Sequence, residues 1–283
     1  MTQPPNTLYE HPAFYGLLFD DRRHDLGFYL SLAADLRPRI REISESLYGR
    51  GPGGNRFLQK GVSPAHRSVS RVLELGVGTG RVALALARAG HEVVGVDSSG
   101  EMLAELAVRV GAEPPDVRAR LSWCLGDART IDLGRRFGLV VCPFNGLAHH
   151  LTDADLDAVL ENVAMHLEPS GLFAFDVLAP DPAMLRGDGA YVPWFRDPRT
   201  GEVSRCEQTV SFDASSRVLT ATMSVRAMES SRDPEYLTLR VRLFDPPEME
   251  ALLERHGFRV VRTERGLGDV VAYVCVSGRA AGR

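Results

Sequence analysis

The chain has 283 residues, of which 44% are hydrophobic and 25% are charged. This balance is typical of a globular protein and excludes a disordered, collagen-like or coiled-coil chain. With 33 basic and 37 acidic residues, the chain lacks the basic excess of a nucleic-acid binder, so no nucleic-acid partner is expected.

The N-terminal residues MTQPPNTLYE lack the basic region and apolar run that mark a signal peptide. The longest uncharged stretch, Phe137 to Thr152, falls short of the roughly 20 apolar residues that a membrane span requires. The four cysteines are far apart and form no C-x-x-C pair, which indicates free thiols in a reducing compartment. These features predict a cytoplasmic protein without a membrane partner.

The first half of the chain changes from a helical pattern to alternating strands and helices. Residues 8–48 have helical periodicity that Pro38 interrupts, and residues 49–67 form a loop rich in Gly and Pro. From residue 69 onward, short apolar strands alternate with amphipathic helices, which is typical of a parallel sheet with right-handed crossovers. Ser98 and Glu101 have the spacing of a capping box at the start of one helix. The predicted strands are 70–75, 92–96, 119–125, 138–142 and 171–177, and the helices are about 80–89, 99–110 and 153–167.

The pattern changes again after the fifth strand. Three runs alternate polar and apolar residues with no helix between them, which predicts an antiparallel meander: 203–212, 217–228 and 236–244. Asp245-Pro246-Pro247-Glu248 then starts a helix that ends at Gly257. Two final strands follow, at 258–263 and 269–276. We therefore expect three regions: a cap and loop (1–68), a core (69–180 with 245–283) and an antiparallel insertion (181–244).

A glycine-rich turn, Glu74-Leu75-Gly76-Val77-Gly78-Thr79-Gly80-Arg81, follows the first predicted strand. Glycines let the backbone turn sharply and approach a ligand closely, and the following helix offers free N–H groups. Arg81 stands where a dinucleotide fingerprint has its third glycine, which disfavours an NAD(P)-dependent dehydrogenase. Asp97 ends the second strand, 21 residues after Gly76. Its carboxylate could accept hydrogen bonds from both hydroxyls of an adenosine ribose, and a helix-capping aspartate is the alternative.

Two residues further along suit an adenine ring. Asp127, in Gly126-Asp127-Ala128, follows the third strand and could reach the adenine amino group; a turn aspartate is the alternative. Met102 lies on the first turn of the helix after Asp97. It could cover the adenine face or pack in the core.

Together, the segments E-L-G-V-G-T-G-R, V-D-S-S-G-E-M-L, G-D-A and C-P-F-N-G-L-A-H-H-L resemble the class I S-adenosylmethionine-dependent methyltransferases, over residues 69–180 and 244–277. The resemblance implies an α/β fold: a Rossmann-like, doubly wound seven-stranded sheet with its last strand antiparallel. It implies S-adenosylmethionine as cofactor and S-adenosylhomocysteine as product. In this family the segment around Tyr15 closes the cofactor pocket, and the carbonyl at Cys142 lies near the methionine amino group. The residues that the sequence and the resemblance assign to the cofactor are Tyr15, Glu74, Gly76, Gly78, Gly80, Asp97, Ser98, Met102, Asp127, Ala128 and Cys142.

Methyl transfer is an in-line displacement for which positioning alone can supply ~7–11 kcal/mol. A hydroxyl acceptor also benefits from a general base, and His149, just after the fourth strand, is the candidate. His150 beside it is the second candidate, and a structural histidine is the alternative. With an unperturbed histidine, activity would rise with pH through about 6.5.

The insertion resembles the antiparallel sheet that sugar N-methyltransferases and other natural-product methyltransferases place over the active-site mouth or use for dimerisation. Four residues are weaker candidates for acceptor contacts: Asn145, Tyr191, Trp194 and Arg240. No cluster of ligands has zinc spacing, so no metal is expected. The resulting prediction is methyl transfer to an O or N atom of a small molecule of secondary metabolism, by a protein that could form a homodimer. A module that binds S-adenosylmethionine without turnover is the first alternative, and a dehydrogenase is the weaker one.

Overall fold

The computed structural model of the chain describes residues 7–35, 70–179, 191–228 and 233–278. The predicted Gly- and Pro-rich loop lies outside the described residues. The strands are β1 (Arg71–Leu75), β2 (Glu92–Asp97), β3 (Leu121–Leu125), β4 (Phe137–Cys142), β5 (Leu167–Leu178), β6 (Tyr191–Arg196), β7 (Val203–Asp213), β8 (Val218–Ala227), β9 (Glu235–Arg242), β10 (Phe258–Glu264) and β11 (Val270–Ser277). The α-helices are α1 (Pro12–Phe19), α2 (26–35), α3 (Arg81–Arg88), α4 (Gly100–Gly111), α5 (Pro115–Arg118), α6 (Asp153–His166) and α7 (Pro246–Arg255), and two 3-10 helices cover Leu8–Glu10 and Gly146–His149.

A seven-stranded sheet in the order β10-β11-β5-β4-β1-β2-β3 forms the centre of the molecule. Strands β1 to β5 pair in parallel, and β11 pairs antiparallel with both β5 and β10. Every residue of β4 is buried, because helices cover both faces of a parallel sheet. The predicted α/β class, the seven strands and the antiparallel last strand are confirmed.

Alternate residues of the central strands point into two separate cores. In β4, Leu139 and Val141 pack with helices α2, α3 and α4 on one face. Val140 and Cys142 pack with α6 and α7 on the other face. Because the strands are covered on both sides, their sequence is a continuous apolar run rather than an alternation. This two-sided burial fixes the ends of the strands, where the predicted site residues Asp97 and Cys142 lie.

A second, four-stranded antiparallel sheet, in the order β6-β7-β8-β9, lies between β5 and α7 in the chain. The meander predicted over 203–244 is present, but β6 was not among the predicted strands. Pro193 and a register shift between Val192 and Phe195 break its alternation, and proline is tolerated there because β6 is an edge strand. Cys206, Met223, Val225 and Leu237 from this sheet pack with Leu8 and Phe14 of the N-terminal segment.

The start of α4 differs from the sequence prediction. The N-cap is Ser99, not Ser98: its Oγ accepts the Met102 N–H at 3.1 Å and donates to Glu101 Oε2 at 3.1 Å. Asp97 Oδ1 accepts the Ser99 N–H at 2.9 Å, and this turn delays the helix by one residue. Ser98 is exposed between them.

The N-terminal residues described are three short helical pieces rather than one long helical run. Thr7 forms a parallel bridge with Thr238 of β9, which attaches this segment to the second sheet. Leu8 is fully buried beneath that sheet. None of the helices in the described ranges is both long and apolar enough to cross a membrane.

Candidate active site

The glycine turn between β1 and α3 contains three residues with positive φ: Gly76 at 69°, Gly78 at 54° and Gly80 at 87°. Residues other than glycine rarely adopt these angles. A Cβ atom on Gly80 would overlap Leu106 of α4, so this glycine allows α3 and α4 to pack closely. A Cβ on Gly76 or Gly78 would meet no atom within 4 Å. The first two glycines therefore border open space, where a ligand can approach the backbone.

Asp97 ties this turn to the start of α4. Its Oδ2 accepts the Gly78 N–H at 2.7 Å while its Oδ1 accepts the Ser99 N–H at 2.9 Å. Burial raises the pKa of Asp97, and the backbone N–H groups work in the opposite direction. Each carboxylate oxygen has about two acceptor positions, so both can still accept a further hydrogen bond.

Glu74, on β1, lies beneath the glycine turn and is only 2% exposed. Burial raises the pKa of its carboxyl well above the ordinary value. Its buried Oε2 has no hydrogen-bond partner among the described residues. A buried acceptor without a partner is costly, so this atom marks a place where a donor from a ligand would be stabilised.

A narrow cavity of about 30 Å³ adjoins these residues. Among the residues that line it are Tyr15, Glu74, Gly76, Gly78, Arg81 and Phe144. The Tyr15 ring packs 5.0 Å from Phe19 and 6.3 Å from Phe144, centroid to centroid. The helix that carries Tyr15 therefore lies against the cavity at the glycine turn, and the role of Tyr15 as a lid stays a prediction.

Arg81, at the start of α3, connects the core to the N-terminal segment through Asp25. Its guanidinium makes a bidentate contact with Asp25, at 2.6 and 2.7 Å, and Asp25 is fully buried. The guanidinium carbons of Arg22 and Arg81 lie 4.7 and 5.7 Å from the centre of the Phe144 ring. From the sequence, Arg81 was notable only because it replaces the third glycine of a dinucleotide fingerprint, and Asp25 was not predicted as a site residue.

The loop after β4 is held in an unusual backbone conformation. Phe144 and Asn145 both have positive φ, 54° and 62°, which costs energy for residues with a side chain. Asp176 of β5, fully buried, accepts their N–H groups at 2.8 and 3.1 Å. Asp176 also accepts the Tyr29 hydroxyl at 2.6 Å. Sequence reasoning missed Tyr29 and Asp176, which impose the loop's shape from distant strands and helices.

The same loop carries two predicted residues. Cys142 is buried at the end of β4, and a Cβ on Gly146 would overlap its sulfur, so the chain must pass close to it. Burial raises the pKa of the Cys142 thiol, which keeps it neutral. The Asn145 Oδ1 is buried and has no partner among the described residues.

His149 lies in the 3-10 helix that follows this loop. Its Nδ1 is 3.0 Å from the backbone carbonyl oxygen of Arg240, and its Nε2 is 2.7 Å from the Tyr9 hydroxyl. Burial lowers the pKa of His149 to about 4. Burial thus moves the pKa of His149 away from the unperturbed value on which the predicted rise of activity through pH 6.5 depends, and the pH dependence of activity stays a prediction.

The depressed pKa of His149 makes stability depend on pH. The folded-state pKa of about 4 lies below the ordinary 6.5, so the stabilising neutral form is fully present above pH 6.5 and is lost as pH falls through 4. Between these values the free energy of unfolding should fall by up to about 3 kcal/mol from this group. Urea unfolding of the wild type and of His149→Asn at several pH values checks it. Identical pH dependence in both proteins would contradict the assignment.

Asp127 and His150 belong to a neighbouring polar group. Arg129 donates its Nε to both Asp127 oxygens at 3.0 Å, and it also contacts Asp155 at 2.5 Å. This guanidinium lowers the pKa of Asp127 to about 2. Burial lowers the pKa of His150, which lies close to the same charges. The adenine contact of Asp127 stays a prediction, in which a ligand amino group would share the carboxylate with Arg129.

The structure also shows how exposed the remaining candidate residues are. Met102 is 1% exposed and Ala128 packs against the core. Arg240 has an exposed side chain and meets His149 through its carbonyl. Trp194 is 50% exposed on β6. Only the backbone of Tyr191, in the same strand, belongs to the described part of the chain.

No three His, Cys, Asp or Glu side chains within the described ranges converge into a group that could hold a metal ion. The four cysteines are free thiols, with Cys142, Cys206 and Cys275 buried.

Known proteins with similar sequences match the region around the glycine turn. The family model described as "Methyltransferase domain" matches residues 72–171. The dTDP-3-amino-3,6-dideoxy-α-D-glucopyranose N,N-dimethyltransferase of Streptomyces fradiae is 37% identical over 101 residues, which are 36% of each chain. The dTDP-3-amino-3,4,6-trideoxy-α-D-glucopyranose N,N-dimethyltransferase of Streptomyces venezuelae is 26% identical over 145 residues, 51% of this chain and 52% of that protein. The matches thus span about a third to a half of these curated relatives.

Solved structures share the fold over more of the chain. The CcbJ methyltransferase of Streptomyces caelestis is 26% identical, with a TM-score of 0.65 over 75% of this chain and 85% of that one. DesVI of Streptomyces venezuelae is 22% identical, with a TM-score of 0.64 over 94% and 98% of the two chains, and shows the fold alone. With the seven-stranded sheet and the glycine turn, these matches show that the chain resembles the class I S-adenosylmethionine-dependent methyltransferases, in the sequence of residues 72–171 and in its fold.

Proposed function

We propose that this protein transfers a methyl group from S-adenosylmethionine to an N or O atom of a small molecule. The observation that carries the proposal is the open backbone at Gly76 and Gly78, beside the unpaired Glu74 carboxylate oxygen and the carboxylate of Asp97. At such a site a ligand can approach the backbone closely. The two carboxylates offer hydrogen-bond acceptors to an ammonium group and to a pair of neighbouring hydroxyls. These are the groups that an amino-acid nucleoside presents.

The residues present fit S-adenosylmethionine. Glu74 would accept the methionine ammonium, and Asp97 would accept the ribose hydroxyls with the lone pairs that Gly78 and Ser99 leave free. Tyr15, from the cap, would close the pocket and exclude water. The cofactor, when bound, supplies a methyl group on a positively charged sulfur. The protein's task is then to hold the acceptor atom in line with that methyl group.

The acceptor side of the site is formed by the loop after β4 and the second sheet. Two of its side chains are uncharged at neutral pH: burial lowers the pKa of His149 to about 4 and raises the pKa of Tyr9 well above its ordinary value. Neutral polar groups of this kind suit a small molecule held by a few polar contacts. The two curated relatives are named for the N-methylation of nucleotide-linked amino sugars, and we take this acceptor class as the first to test.

The proposal retains the remaining sequence predictions. Free cysteines support a reducing, cytoplasmic compartment. The division into a cap, a core and an insertion is supported by the position of the second sheet between β5 and α7. The exposed Trp194 on the edge strand of that sheet would be available to an acceptor or to a second copy of the chain.

The test combines binding with turnover. We expect S-adenosylhomocysteine, but not NADH, to bind in calorimetry. With S-adenosylmethionine and dTDP-3-amino-3,6-dideoxy-α-D-glucopyranose, mass spectrometry should show the addition of one or two methyl groups. Binding of S-adenosylhomocysteine without methylation of this sugar or of its 3-hydroxy analogue would favour a module without turnover. Tight binding of NADH would overturn the cofactor assignment.

A further inference from the structure

We propose that Arg129 governs the adenine subsite: it holds the Asp127 carboxylate that the adenine amino group of the cofactor needs, and it turns onto Asp155 when that group binds. Arg129 is thus a positioning residue, which acts on the cofactor through Asp127. The inference rests on the proposed function and on the prediction that Asp127 accepts the amino group. No sequence-based prediction included Arg129.

A single residue, Arg129, fills the acceptor positions of the Asp127 carboxylate. Oδ1 of Asp127 accepts the backbone N–H of Arg129 at 2.9 Å and its Nε–H at 3.0 Å. Oδ2 accepts the same Nε–H at 3.0 Å and an N–H of Nη2 at 2.5 Å. An ionised carboxylate offers about four lone-pair positions, two on each oxygen. An amino group of a ligand can therefore bind Asp127 only if Arg129 gives up at least one of these contacts.

Arg129 has a second carboxylate within reach, that of Asp155 in the first turn of α6. Its Nη1 donates to Asp155 Oδ1 at 2.5 Å. Asp155 is itself held in place, because its Oδ2 accepts the hydroxyl of the N-cap residue Thr152 at 2.7 Å and its N–H donates to the same hydroxyl oxygen at 3.2 Å. A guanidinium has five N–H groups in a planar fork, so a turn of the side chain can bring more of them to Asp155. The cation therefore keeps an anionic partner when it leaves Asp127.

Asp127 lies at the same edge of the central sheet as the carboxylate predicted to hold the ribose. The N–H of Gly126 donates to the backbone carbonyl of Asp97 at 2.9 Å, and β2 and β3 pair as far as Asp97 and Leu125. The side chains of Arg129 and Asp127 are 25% and 36% exposed. Because water reaches both groups, this pair can change partners at a smaller cost than a fully buried pair.

The charge of Arg129 also makes Asp127 a weaker acceptor for a further donor. Hydrogen bonds from Arg129 lower the pKa of Asp127 from the ordinary 3.8 to about 2. Without Arg129 the carboxyl would still be ionised at neutral pH, with free lone pairs and higher basicity. Loss of the guanidinium should therefore tighten the binding of a ligand with an amino group at this place. Loss of a residue that only supports the fold would weaken it.

Calorimetry with two ligands tests this exchange of partners. S-adenosylhomocysteine presents the 6-amino group, whereas its purine analogue has a hydrogen atom there and needs no acceptor from Asp127. We expect Arg129→Met to bind S-adenosylhomocysteine about tenfold more tightly than the wild type does, and to bind the purine analogue with wild-type affinity. Arg120→Met, which breaks a pair with the exposed Asp116 just before β3, is the matched control. It should leave both Kd values unchanged.

A second variant, Asp155→Asn, should have the opposite effect. It removes the negative charge that receives the guanidinium, so Arg129 should stay on Asp127 and the Kd of S-adenosylhomocysteine should rise about fivefold. The amide oxygen can still accept the Thr152 hydroxyl. The double variant should bind like Arg129→Met alone, because no guanidinium is then left to compete. Weaker binding of S-adenosylhomocysteine by Arg129→Met, or an equal change for both ligands, would overturn the inference.

NMR of the wild type gives a readout that does not depend on the folding of a variant. The Nε–H of Arg129 contacts both oxygens of Asp127, so its resonance should shift on saturation with S-adenosylhomocysteine and shift much less with the purine analogue. An equal response to the two ligands would contradict the exchange. If the wild type binds neither ligand, the proposed function fails and this inference fails with it. If it binds both and Arg129→Met changes neither affinity, the inference alone is overturned.

Discussion

Replacing Asp97 with alanine is expected to weaken the binding of S-adenosylhomocysteine by at least ~2 kcal/mol, which is about 30-fold in Kd. In this variant the ribose hydroxyls would lose the carboxylate that accepts their hydrogen bonds. In addition, the N–H groups of Gly78 and Ser99 would lose their acceptor, so the glycine turn and the start of α4 would no longer be held together. We therefore expect a larger loss of affinity than for a residue that only contacts the ribose or only supports the glycine turn.

Calorimetry on folded Asp97→Ala measures this loss. Asp132→Ala is the matched control, because its carboxylate also accepts a backbone N–H, that of Gly134 at 2.8 Å, but in an exposed loop outside the site. The control should bind S-adenosylhomocysteine with wild-type affinity. Unchanged affinity in Asp97→Ala, with circular dichroism like that of the wild type, would remove Asp97 from the ribose site.

Replacing Asp25 with alanine is expected to lower the free energy of unfolding by about 3–5 kcal/mol. Asp25 is fully buried and receives two hydrogen bonds from Arg81, while Arg22 lies 3.8 Å away. Without the carboxylate, a largely buried guanidinium keeps its charge and loses its partner. Both cations also pack on Phe144, so the loss would loosen the loop after β4.

Urea unfolding gives the size of this effect, and a double variant tests its cause. Asp25→Ala combined with Arg81→Met removes both charges, and we expect it to be more stable than Asp25→Ala alone. Glu264→Ala breaks an exposed pair with Arg262 and should cost about 1 kcal/mol or less. A cost for Asp25→Ala no greater than that of Glu264→Ala would show that the buried pair does not fasten the cap.

The structure has the local geometry expected from the sequence where that geometry depends on residues close together in the chain. The turn from Gly76 to Gly80 needs positive φ angles within five residues, and only glycine adopts them readily. The positions of Asp97 and His149 at the ends of predicted strands follow from the strand–helix alternation, because strand ends in a parallel sheet meet at one edge. The structure places these residues there, while their roles toward cofactor and acceptor remain predictions.

Sequence spacing could not reveal the residues that set the properties of the site. Tyr9 and His149 are 140 positions apart, Tyr29 and Asp176 are 147 apart, and Asp25 and Arg81 are 56 apart. No periodicity links such pairs, since their contact depends on how the cap and the second sheet pack against the core. The sequence by itself determined the glycine turn, the α/β alternation and the resemblance to the methyltransferase family. Tertiary structure alone decided that His149 is neutral and that Tyr9 engages its free nitrogen, because burial and the carbonyl of a distant strand set its pKa and tautomer.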